Sequence, residues 1–155
     1  MKARFVVMTH LLCLFALSIG CAQNANLGTW KLNEAKSEIP AGVGRNTTVV
    51  YAAAANDMIK VTTDGVDAQG KPAHTEWTGK FDGKPYALMG DPNADWRAYK
   101  VKNDRLLLLA NMKGNSTVSN GKIELAKDGK SRTLEINYLD GKKKKAKAKF
   151  VYEKG

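Results

Sequence analysis

Apolar and polar residues alternate with a period of two along most of this chain. Ile59, Val61 and Thr63 alternate with Met58, Lys60 and Thr62. Within residues 74–81, Thr75, Trp77 and Phe81 share one face, and His74, Glu76, Thr78 and Lys80 the other. Within residues 132–139, Leu134, Ile136 and Tyr138 line one face, opposite Glu135 and Asn137. A period of two is the signature of strands with one buried face. Residues 105–112 depart from it, because Leu106, Leu107, Leu108 and Leu109 form an unbroken apolar run. Such a run predicts a strand covered on both faces, or one that lies in a contact.

Turn markers separate these segments. They are Asp64-Gly65, Gln69-Gly70, Asp82-Gly83, Asn120-Gly121, Asp128-Gly129 and Asp140-Gly141, the last five each followed by lysine. Asp-Gly and Asn-Gly accept the positive φ values of tight hairpins. No segment after the N-terminal one carries a long helical pattern with caps; residues 31–37 have room for one helical turn before Pro40, Gly42 and Gly44 end it. The expected fold is all-β: an antiparallel up-and-down meander of about 8–10 strands closing into a barrel, since closure removes exposed edges. A two-sheet sandwich is the alternative. Residues 23–155 are expected to form one domain.

The lysine-rich stretch from Lys142 to Lys149 reads as a strand once the period is applied. Lys143, Lys145, Lys147 and Lys149 fall on one face, and Ala146, Ala148, Phe150 and Tyr152 on the other. Outward lysines keep a strand from pairing with strangers. They also make this face a candidate contact for an anionic membrane or polysaccharide surface.

Residues 1–22 are expected to be an export signal. Lys2 and Arg4 precede an apolar stretch over residues 5–19, and Gly20-Cys21-Ala22 offers small residues for cleavage after Ala22. Residues 18–21 also resemble a lipoprotein box that would lipidate Cys21, with Ser18 where leucine is preferred. The expected location is periplasmic or secreted, with an outer-membrane lipoprotein as the alternative. Cys13 and Cys21 are the only cysteines, so the domain is expected to hold neither a disulfide nor a cysteine metal site. Removing Lys2 and Arg4 from the 25 basic residues leaves 23 against 15 acidic ones, a net charge near +8. Such a balance suits nucleic acid, an anionic membrane or an acidic ligand; the export signal argues against nucleic acid.

Gly28-Thr29-Trp30 matches the G-x-W signature on the first strand of lipocalins, and Gly28-Thr29-Trp30-Lys31-Leu32 resembles the start of fatty-acid-binding proteins. Val151-Tyr152-Glu153-Lys154 is similar to that family's closing strand. The resemblance implies a calycin-type barrel with Trp30 plugging one end. Tyr152 carries over as a pocket residue. The arginine that this family places two residues before the tyrosine, to hold a ligand carboxylate, is Phe150 here. The helical lid after the first strand also has no counterpart in the short, Pro- and Gly-rich residues 33–45. The chain as a whole is similar to small exported bacterial proteins of unassigned function.

Catalytic chemistry has little to stand on. After cleavage His74 is the one histidine, alternation turns it away from Trp77, and no G-x-S-x-G motif occurs. Asp91, Asn93 and Asp95 have the spacing that opens a calcium loop, but Trp96 and Lys102 stand where glycine and glutamate are needed, so a polar turn is expected. Asn46-Thr47-Thr48 and Asn115-Ser116-Thr117 match the glycosylation sequon by chance. No catalytic residue, metal or cofactor is assigned.

A pocket would be lined by inward aromatics with a few polar anchors. Trp77, Phe81, Tyr138, Phe150 and Tyr152 are the candidates, with Arg97 and Tyr99 together on one strand as a charged anchor. The expectation is a monomeric, non-enzymatic envelope protein carrying a small hydrophobic or amphipathic ligand. The alternative is an envelope protein whose filled barrel meets anionic surfaces with its basic outer face; a barrel enzyme using two carboxylates ranks last.

Overall fold

The computed structural model describes residues 24–140 and 142–155. Cys21 and the expected export signal lie outside them. Ten strands run in sequence: β1 Gly28–Leu32, β2 Arg45–Ala53, β3 Ile59–Val66, β4 Pro72–Gly79, β5 Asp82–Met89, β6 Trp96–Asn103, β7 Leu106–Lys113, β8 Ser116–Leu125, β9 Ser131–Leu139 and β10 Lys145–Lys154. Each pairs antiparallel with its sequence neighbour, and β1 pairs with β10 to close the barrel. A short 3-10 turn, Glu34–Lys36, follows β1, with the Asn33 side chain capping it through the Lys36 N–H.

Alternation places the interior as the sequence predicts. Val61 and Thr63 of β3, Trp77 of β4, and Ala148, Phe150 and Tyr152 of β10 are buried, with their polar neighbours outside. The lysine-rich stretch is strand β10 from Lys145 on, and Lys143 sits in the preceding turn at φ 59°.

Two turn markers are misread. Asp64-Gly65 lies inside β3 and Asn120-Gly121 inside β8. These glycines serve close backbone approach, not a hairpin. A Cβ on Gly65 would run into the Arg45 carbonyl, beside the bulge at Asn46 and Thr48, and one on Gly121 into the Glu135 carbonyl of β9. The leucine run of β7 also differs from a strand covered on both faces. Leu107 and Leu109 enter the core, while Leu106 and Leu108 stay half-buried on the outer wall, over which no further layer packs among the described residues.

One end of the barrel is closed by aromatic side chains. Trp30 is fully buried, and its indole N–H donates to the Asn26 carbonyl at 2.8 Å. In the same core cluster Trp77 packs edge-on against Tyr99, ring centres 4.8 Å apart, and stacks on Phe81 at 6.1 Å. Aromatic pairs at such spacings add roughly 0.5–1.5 kcal/mol each beyond their burial.

Candidate ligand cavity

Above this aromatic floor the barrel is hollow. A cavity of about 330 Å³ extends from the floor to the opposite end, where residues 43–46, 66–68 and 90–93 form its rim. The rim belongs to the β1–β2, β3–β4 and β5–β6 connections, so all three line the same end of the barrel. The wall is mostly apolar, with Val49, Leu109, Ile123, Leu134, Ile136 and Phe150 prominent.

Two guanidinium groups enter this space. Arg97, half-buried on β6, donates from Nε to Asn111 Oδ1 at 2.6 Å, and Asn111 Nδ2 donates to Ser119 Oγ at 2.9 Å. An Arg97 terminal nitrogen lies 3.5 Å from the Tyr99 hydroxyl, which in turn lies 3.5 Å from the Tyr51 hydroxyl. Arg132 on β9 is 3 % exposed. Its guanidinium carbon sits 4.5 Å from the ring centres of both Trp30 and Tyr51, and 5.5 Å from that of Tyr152. One of its terminal nitrogens is buried with no hydrogen-bond partner among the described residues.

The charge of these groups is unanswered. No inward strand position lining the cavity carries a carboxylate; the two that line it, Asp67 and Asp91, are on rim turns. Those two accept backbone N–H groups of their own turns, from Gln69 and Lys71 and from Asn93. The ion pairs found among the described residues join exposed or half-exposed side chains, and none includes Arg97 or Arg132. Buried charges are ordinarily paired, because removing an ion from water costs several kcal/mol. Burial pushes the Tyr51 phenol well above its usual range, with Tyr99 adding to the effect and Arg132 opposing it. Burial likewise raises Tyr152 against the pull of Arg132. Both phenols therefore stay neutral donors at ordinary pH. The site presents two fixed positive charges and several hydroxyls inside an apolar wall, which suits the charged head of a small amphipathic anion.

Of the residues singled out from the sequence, Arg97, Tyr99, Tyr138, Phe150 and Tyr152 line this cavity. Trp77 and Phe81 are not in its wall. They belong to the floor behind Tyr99, and the Trp77 indole N–H donates to the Arg97 carbonyl at 2.9 Å. Lys145, Lys147 and Lys149 lie on the outer face of β10, where Lys149 is neutralised by Glu38 at 2.9 Å. His74 is on the outer face of β4, bonded to Asp64 at 2.7 Å and facing Glu76 at 3.4 Å. Asp91 and Asp95 are drawn apart, Asp91 onto its own turn and Asp95 onto Lys113 at 2.7 Å. No metal-holding cluster of acidic residues and histidine occurs among the described residues.

Sequence reasoning missed Arg132, Tyr51 and Asn111. The signal for Arg132 was present: it stands two residues before Leu134, in phase with Leu134, Ile136 and Tyr138. Asn111 is likewise in phase with Leu107 and Leu109. Compared with known proteins, the chain matches no family model and no curated protein.

Proposed function

We propose that this protein is a non-enzymatic binding protein of the cell envelope, carrying a small amphipathic anion inside its barrel. The observation that carries the reading is the pair of arginines, Arg97 and Arg132, aimed into an apolar cavity whose two carboxylates, Asp67 and Asp91, sit on rim turns and pair with neither. A ligand head bearing a carboxylate or phosphate answers that charge, and the aliphatic wall accepts a short apolar tail. The likeness to lipocalins and fatty-acid-binding proteins belongs to this proposal. Phe150 stands where the resemblance would put an arginine, and Arg132, the register partner of Tyr152 on the neighbouring strand, brings a guanidinium to the same cavity. The export signal over residues 1–22, or lipidation at Cys21, would put this carrier in the periplasm or at the outer membrane.

The test is thermal denaturation of the protein with matched ligand pairs: medium-chain carboxylates or alkyl phosphates against alcohols of the same length. A ligand that binds only the folded state raises the melting temperature with concentration. The anions are expected to stabilise and the alcohols not. Equal effects of both, or none from any anion, would sink the reading.

A second reading rests on Lys145 and Lys147, which are exposed on β10 and enter no ion pair among the described residues. They support contact with an anionic envelope surface, such as acidic polysaccharide, of a kind that salt would weaken.

A further inference from the structure

The outer wall carries an apolar face that the carrier reading does not use. Strand register builds it from two cross-strand rows. Ala87 of β5, Trp96 of β6 and Met112 of β7 are register partners, and so are Pro85, Ala98 and Ala110. Their chain neighbours Tyr86, Leu88, Arg97, Tyr99 and Asn111 turn inward, so alternation aims both rows outward, with the small Ala98 itself buried between its neighbours. Trp96 is 43 % exposed, and Met89, at the end of β5, is 67 % exposed. Single exposed apolar residues are ordinary; a contiguous face across three strands is not.

We propose that this face of β5–β7 docks on an anionic lipid bilayer. Three observations select that occupant. First, the composition is interfacial: an outer wall carries a tryptophan, whose amphipathic ring suits the headgroup region, and two methionines, whose thioethers adapt to an irregular apolar surface. Second, the charge is complementary. Lys84 adjoins Pro85, and Lys100 lies beside Leu108; neither enters an ion pair among the described residues. The chain after residue 22 carries a net charge near +8, which attracts an anionic membrane and opposes a second copy of itself. Third, the wall is convex, so two such walls touch along a narrow strip, whereas a fluid bilayer conforms to one. Met89 leads directly into residues 90–93 on the cavity rim, so docking here brings the mouth to the lipid surface. The proposal stands on the outer wall and needs no ligand in the cavity.

The test uses the full chain with vesicles of phosphatidylcholine and phosphatidylglycerol whose acyl chains carry bromine. Bromine quenches tryptophan on contact. Trp30 and Trp77 are 0 % and 1 % exposed, so quenching reports Trp96. The expected result is quenching by the anionic vesicles that disappears in Trp96→Phe. A Met89→Ser and Met112→Ser double variant should bind about tenfold more weakly, given the apolar area lost, with an unchanged melting temperature. If that double variant fails to fold, Met89→Ser alone gives the same readout from an exposed position. Vesicle binding that leaves Trp96 unquenched would overturn the proposal, as would no binding. So would loss of quenching in Lys145→Glu and Lys147→Glu but not in Met89→Ser, or a vesicle-free dimer that shields Trp96 from iodide.

Discussion

Arg132 and Tyr152 face each other across β9 and β10, and both side chains enter the barrel, where the guanidinium lies 5.5 Å from the phenol ring. The same guanidinium covers Trp30, the floor of the barrel. Arg132 thus joins the closed end to the cavity, and its two roles make different predictions. As a structural tie it stabilises the floor through its aromatic contacts, worth roughly 0.5–2 kcal/mol each. As a ligand anchor it holds an uncompensated charge that costs stability in the empty protein. Arg132→Met keeps the apolar volume and removes the charge. The empty variant is expected to unfold within about 1 kcal/mol of the parent in urea, and to lose stabilisation by anions. A large loss of stability together with intact anion binding would make Arg132 a tie alone.

Trp30 tests the floor itself. Its truncation to alanine removes the largest fully buried side chain and leaves a cavity the barrel end cannot collapse into. The expected loss is about 3–5 kcal/mol, read as a lowered denaturant midpoint. Trp30→Phe should cost less, because it keeps one aromatic ring and gives up only the pyrrole half with its hydrogen bond to the Asn26 carbonyl.

A turn glycine and a strand glycine yield a contrast. Gly129 has φ +68° and open space where a Cβ would go, so alanine there bears only the strain of its backbone, about 1 kcal/mol. Gly121 has no positive φ, yet a Cβ would strike the Glu135 carbonyl of the paired strand. Gly121→Ala is therefore expected to cost more than Gly129→Ala, by about 1 kcal/mol or more, since β8 and β9 must part to admit it. Urea melts of the two variants side by side decide it.

These glycines also show what could be read from the chain and what could not. The strands and the orientation of β10 were legible, because a period of two separates inside from outside even in a lysine-rich run. Closure was expected because it removes the exposed edges of a long antiparallel meander, and the β1–β10 pairing bears it out over the two-sheet alternative. Asp64-Gly65 and Asn120-Gly121 misled because glycine serves positive φ and close backbone approach alike, and only the register distinguishes them. Arg132 and Asn111 escaped because a polar residue at an inward position breaks the pattern used to find inward positions. The outer row Ala87–Trp96–Met112 escaped for the converse reason: apolar residues at outward positions read as core.

The His74 cluster sets a pH dependence. The hydrogen bond to Asp64 is the first cause raising the His74 imidazole above its ordinary range, followed by the bond to Glu76. A raised folded value means that the folded state favours the protonated ring. Its contribution is complete below the unfolded value of about 6.5 and is lost as pH rises through the higher folded one. Stability measured across that window should fall with rising pH, and His74→Asn should flatten the slope. The imidazole resonance in an NMR titration should move above pH 6.5; a midpoint at or below it would refute the pairing.

Asn111 positions Arg97 through a 2.6 Å bond to Nε, and is itself held by Ser119. The bond fixes the guanidinium in the cavity wall, with a terminal nitrogen toward Tyr99. Asn111→Leu keeps the size and releases the arginine to other rotamers. Arg97 would retain its charge, so a loss of affinity would reflect placement rather than charge. A hydrogen bond to a charged group is worth about 1.5–3 kcal/mol, so anion affinity should fall by roughly tenfold or more. The loss should shrink in Asn111→Asp, whose carboxylate restores an acceptor, only if placement dominates. If instead that carboxylate neutralises the site, Asn111→Asp should bind anions more weakly than Asn111→Leu. Calorimetric titration of the three proteins with one alkyl carboxylate separates these outcomes, and equal affinities throughout would show that Arg97 does not contact the ligand.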